Sequence, residues 1–347
     1  MPFSPLMHIM KKRFSLLALL AACALPPALA QPGPGFVMPD APGWRPATLV
    51  AAQERVLHSR HTGRDYRIQI ATNGSPPAGG YPVIYVLDGD NLFPVLAMLI
   101  QEHQYRSDPS GALAVVGVGY PGGQLLDLKA RARDYTPPMA ADVNADAVDA
   151  IDADSERFGG AALFRRFLQE ELKPEIARVV KVDPAQQALM GHSFGGLYAL
   201  HALLAHPGDW RYYFISSPSI WWGNKRVLQE ENTLPARLAA LKGEPPLVRL
   251  TVGELEEKPL PKSATGASSD KAATLEAQRA RHQQERRMVS ESRALARRLA
   301  AMPGLHVEFH EYPGQTHGSV IFPAMNDNLR VMWRELAAAA RQRTQAD

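Results

Sequence analysis

The chain has 347 residues, 46% of them apolar, and a formal charge of +3. That is enough apolar material for a large core, and the charged fraction is too ordinary for a disordered or fibrous chain. The whole excess of charge sits in residues 1–30, which hold Lys11, Lys12 and Arg13 and no acid; the remainder is neutral and gives no reason to expect a nucleic-acid partner.

Residues 1–30 read as an export signal. The basic "KKR" precedes the apolar run "FSLLALLAACAL", and "PPALA" then places Ala28 and Ala30 in an A-x-A arrangement before Gln31. The run is too short to span a bilayer, so the mature chain is expected to have no transmembrane helix. Cys23 is the sole cysteine, and "LAAC" around it resembles a lipobox. The expected product is periplasmic or secreted, with a lipoprotein anchored through Cys23 as the alternative. Either way the folded domain has no disulfide and no thiol nucleophile.

Residues 31–46 are rich in Pro and Gly and read as a linker to a domain over 47–347. "ERVLHSR" and "RDYRIQIAT", joined by "HTG", predict a hairpin. "YPVIYVLDG" and "GALAVVGVGYP" are nearly continuous apolar runs, the pattern of strands buried on both faces of a parallel sheet. Phe158–Val180 has helical spacing, and a short strand ending at Gly191 leads into a helix from "GGLYALHALLAHP". "YYFISSPSI", "PLVRLTVGE" and "HVEFHEYPG" are further strands; "SESRALARRLAAM" and "NDNLRVMWRELAAAARQR" are helices. The alternation predicts an α/β fold, a mostly parallel sheet with helices on both faces. A polar insertion over about 258–287 breaks the pattern and reads as a solvated loop leading into a helix, or as a mobile lid.

Gly191-His192-Ser193-Phe194-Gly195 fits G-x-S-x-G between a strand and a helix. Such a turn exposes the serine hydroxyl, and the helix N-terminus aims free N–H groups at a developing oxyanion. Ser193 is therefore the candidate nucleophile. Of His306, His310 and His317, only His317 lies past the Pro313-Gly314 break, in a loop beyond the last strand, and it is the candidate general base. The loop after the preceding strand offers Glu254, Glu256 and Glu257, with Glu256 preferred as the orienting acid. Oxyanion donors are expected from the amide of Phe194 and, in the "LDGDNLF" loop, from Asp90 or Gly89.

"DGDNLF", "VVGVGYP", "RARDYTPP", "GHSFGGLYALHALLAHP", "SSPSIWW", "GELEE" and "GQTHGSV" occur in the order found in the putative-esterase family of α/β hydrolases, and the chain resembles its siderophore-esterase branch over roughly residues 80–333. The resemblance implies an α/β-hydrolase fold and an exported serine esterase, without metal or organic cofactor, acting on a small-molecule ester. The implied substrate is a catecholate trilactone siderophore, either iron-free or carrying its own iron. It also makes Trp221 and Trp222 candidates to stack on catechol rings, with plain core packing as the alternative for at least one. Arg131 and Arg133 become candidates to meet an anionic substrate, against an ion pair with Asp134 or another acid, and Tyr120 is a further substrate-binding candidate. The rival readings are a general carboxylesterase or feruloyl-type esterase, an acyltransferase, and an idle siderophore-binding protein. Presence of both nucleophile and base argues against the last.

Overall fold

Side-chain alternation sets the first edge of the sheet. β1 (Ala52–His58) and β2 (Asp65–Thr72) form the predicted antiparallel hairpin, with Tyr66 and Ile68 of β2 turned into the core. β3 (Tyr81–Leu87) and β4 (Ala114–Gly119) are buried at every position, as strands covered on both faces must be. β5 (Val182–His192), β6 (Tyr212–Ser216), β7 (Leu247–Gly253) and β8 (His306–Tyr312) complete an eight-stranded sheet of order β1-β2-β4-β3-β5-β6-β7-β8. Only β2 runs against its two neighbours; every pair from β4 to β8 is parallel. This computed structural model describes residues 49, 51–106, 111–138, 157–258, 281 and 283–346. The predicted export signal with Cys23, the linker and most of the 258–287 insertion lie outside the described residues.

Two cores form, one on each face. On one face α1 (Gly89–Arg106) sets Leu92, Phe93, Leu96 and Ile100 against Ile84 and Val86, together with Met325 and Leu329 of the long C-terminal helix. On the other lie α2 (Leu128–Asp134), α3 (Ala161–Arg166), α4 (Lys173–Val179) and α5 (Phe194–Ala205). The short α6 (Trp222–Lys225) and α7 (Leu234–Ala239), then α8 (Met288–Ala300) and α9 (Ile321–Ala346), close the chain.

The "LDGDNLF" segment differs from expectation. It is no loop: α1 begins at Gly89, because its apolar residues at helical spacing are worth burying despite Pro94. The single helix expected over Phe158–Val180 is also interrupted. Phe167–Leu172 is a π-helical turn between α3 and α4. Pro174, at the start of α4, has no N–H to give the carbonyl four residues back, and the ladder widens just before it.

Candidate active site

β5 lies between β3 and β6, so the turn after it opens at the centre of the sheet's carboxyl edge. Ser193 alone separates β5 from α5, at φ 60° and ψ −118°. A non-glycine residue holds such a backbone only when its surroundings impose it. Here the Ser193 N–H donates to Ser216 O (3.0 Å), and Ser193 O accepts from Leu197 (2.9 Å) and Ser219 (3.1 Å). The glycine requirement falls partly where the motif places it. A Cβ on Gly191 would lie 2.1 Å from Gly195 O, and one on Gly196 would lie 2.6 Å from Ser216 O. At Gly195 itself the nearest atom is Asp88 Oδ2 at 3.3 Å, so the tight second contact belongs to Gly196.

After β7 the chain folds through a single 3-10 turn, Glu254–Glu256, which brings the Glu256 carboxylate back over Gly253. Glu256 is 2% exposed. Its Oε1 accepts from the Gly253 N–H (2.7 Å) and the Ser217 hydroxyl (2.6 Å), and its Oε2 accepts from His317 Nδ1 (2.7 Å). The loop carrying His317 is seated on the end of β7. Leu255 N–H donates to Gln315 O at 2.9 Å, and a Cβ on Gly253 would meet that oxygen at 2.5 Å. The other two glutamates of this turn point elsewhere. Glu254 accepts from Gly314 N–H and pairs with Lys258; Glu257 accepts from the Ser290 N–H (2.5 Å) and hydroxyl (2.6 Å). His306 and His310 both lie within β8, and the His310 ring rests on Tyr312.

The His317 side chain is 45% exposed. Beneath it His192 is buried, its ring centroid 4.6 Å from that of His317 and its Nδ1 3.4 Å from Ser216 Oγ. Burial, then the nearby His317 and Arg131, push the His192 imidazole well below its ordinary pKa, so the ring under His317 stays neutral.

Ser193, Phe194, His317, Glu256, Arg131 and Trp221 share the wall of one cavity of about 490 Å³. Trp221 is half-buried, with the Arg286 guanidinium 4.3 Å from its ring centre. Trp222 reaches the same wall but is fully buried and packed on Phe158, which makes it core. Arg131 is 7% exposed and grips Asp88 with two hydrogen bonds of 2.9 Å. Burial opposes its charge, but the Asp88 carboxylate outweighs burial and holds the guanidinium above its ordinary pKa.

Four sequence candidates stand away from this cavity. Arg133 donates to Phe158 O and lines a separate hollow of about 270 Å³ with Arg64 and Asp134. Tyr120 is buried and gives its hydroxyl to Asp134. The Asp90 carboxylate is taken by Arg67 of β2 (2.7 Å) and by the Tyr120 N–H (2.8 Å), which turns this residue toward β4. Neither Asp90 nor Gly89 is among the residues lining the cavity. The corner before them does touch the elbow: Asp88, at φ 53°, faces Gly195. Sequence reasoning passed over both Asp88 and Ser217. Their only signal is a polar residue at the end of a buried strand, "VLD" and "ISS". Among the described residues no group of three or more His, Cys, Asp or Glu side chains is placed to hold a metal ion, and no helix is long and apolar enough to cross a membrane.

A family model described as "Putative esterase" matches residues 59–308. The ferri-bacillibactin esterase BesA of Bacillus subtilis is 31% identical over 279 residues, 79% of this chain and 86% of the relative. A siderophore triacetylfusarinine C esterase of Aspergillus fumigatus is 30% identical, covering 79% of this chain and 90% of the relative. Among solved structures, the BES protein of Bacillus cereus superposes with a TM-score of 0.70 at 31% identity, over 83% of this chain and 98% of that one.

Proposed function

Since this chain belongs to the putative esterase family of α/β hydrolases and hydrolyses ester bonds, we propose that it is an exported serine esterase acting on a catecholate trilactone siderophore. Ser193 Oγ attacks the ester carbonyl while His317 takes its proton. Glu256 holds His317 in the tautomer that leaves Nε2 free to do so and stabilises the imidazolium that forms. The amide of Phe194, at the start of α5, receives the oxyanion; the second donor expected from Gly89 or Asp90 lies outside the lining of the cavity. His317 then protonates the departing alkoxide. A water, deprotonated by the same imidazole, attacks the acyl-enzyme, and the acid leaves as Ser193 regains its proton.

The observation that carries this reading is the 2.7 Å contact of Glu256 with His317 at a cavity that also holds Ser193. The substrate class draws on the ferri-bacillibactin esterase named above and on Trp221, a half-buried aromatic in the cavity wall. The iron is cargo of the substrate. Export rests on residues 1–30, with the lipoprotein anchored at Cys23 as the alternative product. Two observations favour a second reading, a general carboxylesterase or feruloyl-type esterase: the charge of Arg131 is matched by Asp88, and Arg133 stands outside the cavity.

Hydrolysis of ferric and iron-free trilactones is to be compared with that of short aryl esters, for the wild type and Ser193→Ala. We expect Ser193→Ala to lose labelling by a fluorophosphonate and at least about 10³-fold in kcat on every ester, with its melting temperature retained. Residual turnover above that would remove Ser193 from the mechanism. An aryl-ester kcat/KM equal to or above that for the trilactones would favour the general esterase.

A further inference from the structure

Glu256 is gripped from behind by a residue that lies outside the proposed triad. Ser217 directly follows β6, is wholly buried, and holds a left-handed backbone at φ 43°. Its N–H donates to Thr251 O of β7 at 2.8 Å, and its hydroxyl donates to Glu256 Oε1 at 2.6 Å. The Gly253 N–H reaches the same oxygen at 2.7 Å. With Oε1 held by two donors, the carboxylate cannot rotate without breaking one of them, and Oε2 is the oxygen left for His317. A hydroxyl bond of this length to a carboxylate is among the strong, charge-assisted ones. Glycine is the residue that fits a left-handed backbone without strain. A serine kept there points to a use for its side chain.

We propose that Ser217 is a positioning residue for the esterase reaction: its hydroxyl locks the Glu256 carboxylate in the rotation that presents Oε2 to His317. The proposal rests on the triad reading above, because Ser217 acts only through Glu256. It also assigns the segment Ser216-Ser217 a double duty. Ser216 O holds the nucleophile's N–H at 3.0 Å, and the next residue holds the acid, so the end of β6 fixes the distance between them.

The test compares Ser217→Ala and Ser217→Gly, each in the wild type and in a Glu256→Gln background, on one aryl ester. Both substitutions remove the hydroxyl, but only glycine relieves the backbone. We expect kcat to fall on the order of 10-fold in both, with KM changed less than about twofold, because the loss is one of alignment. Ser217→Gly should melt above Ser217→Ala, so that activity follows the hydroxyl while stability follows the backbone. In the Glu256→Gln background neither substitution should lower kcat further. Wild-type kcat in Ser217→Gly, or an undiminished loss in the Glu256→Gln background, would overturn the positioning role and leave the triad standing. Wild-type kcat in Glu256→Gln alone would overturn the triad and the positioning role with it.

Discussion

Glu256 and Asp134 are almost equally sealed from water, at 2% and 1% exposure, yet they are held in opposite ways. Glu256 meets three donors at 2.6–2.7 Å, spread over both oxygens. Asp134 meets the hydroxyls of Tyr66 (2.8 Å) and Tyr120 (3.1 Å) on one oxygen and, among the described residues, a distant Arg64 at 3.5 Å on the other. Burial therefore wins at Asp134 and raises its pKa to about 6, although Arg64 and the tyrosines pull the other way. The environment behind each acid differs as well. Asp134 backs onto aromatic core, where Tyr66 stacks on Phe167 with centroids 4.1 Å apart. Glu256 backs onto strand ends and faces a histidine open to a cavity. A buried carboxylate is thus no sign of catalysis in itself; its donors and the group it presents to the cavity decide what it can do.

Neutralising each acid is the strongest way to break that comparison. Glu256→Gln should lower kcat by on the order of 10- to 10⁴-fold, because the amide no longer stabilises an imidazolium. Asp134→Asn should leave kcat within about threefold, since Asp134 acts on the tyrosine cluster and not on the reacting atoms. Steady-state kinetics on a single ester, with circular dichroism to check folding, measures both. Losses of similar size in the two variants would mean that the Asp134 cluster shapes the site after all.

The two acids were also unequally legible in the sequence. Glu256 follows a strand that reads as a strand, in a turn that offers three glutamates, so its neighbourhood follows from chain order alone. Asp134 gave no hint beyond "RARDY", because its partners Tyr66 and Tyr120 come from β2 and the end of β4, which become neighbours only once the sheet is ordered. The strands were legible because continuous apolar runs have few other uses. α1 was not, since "DGDNLFPVLAMLI" carries a Pro and turn-forming residues at its start. Arg131 and Arg133 are candidates to meet an anionic ligand or to pair with an acid; Arg131 pairs with Asp88 while still lining the cavity, and Arg133 donates to the Phe158 carbonyl. Motif order gives the chemistry; it does not tell which way a long polar side chain turns, because that depends on acids and carbonyls far away in the chain.

The pH dependence of stability sharpens the contrast at a smaller scale. The Asp134 pKa is raised in the fold, from 3.8 to about 6, so the folded state binds this proton more tightly than the unfolded chain does. Its contribution is fully present below pH 3.8 and is lost as pH rises through about 6. Denaturant unfolding from pH 4 to 7.5 should therefore show a decline of up to about 3 kcal/mol attributable to this group. Asp134→Asn, which cannot ionise, should lack that decline, while Glu256→Gln should keep it. An unchanged pH profile in Asp134→Asn would place the titrating group elsewhere.

The finest test lies inside one turn. Glu254, Glu256 and Glu257 are three acids within four residues, separated by what they touch rather than by chemistry. Glu254 accepts from Gly314 N–H and pairs with Lys258 at the surface, where a glutamine can still accept the same N–H. Glu257 accepts two bonds from Ser290, near the start of α8, so its loss should be felt as a lower melting temperature. Neither reaches His317. Glu254→Gln and Glu257→Gln should then keep kcat within about twofold of the wild type. If either cost tenfold while Glu256→Gln did not, the 2.7 Å pairing with His317 would not be the one used in turnover. Small and equal effects at all three would instead mean that Ser193 and His317 work as a dyad, and that the three donors around Glu256 serve only to keep a buried charge in place.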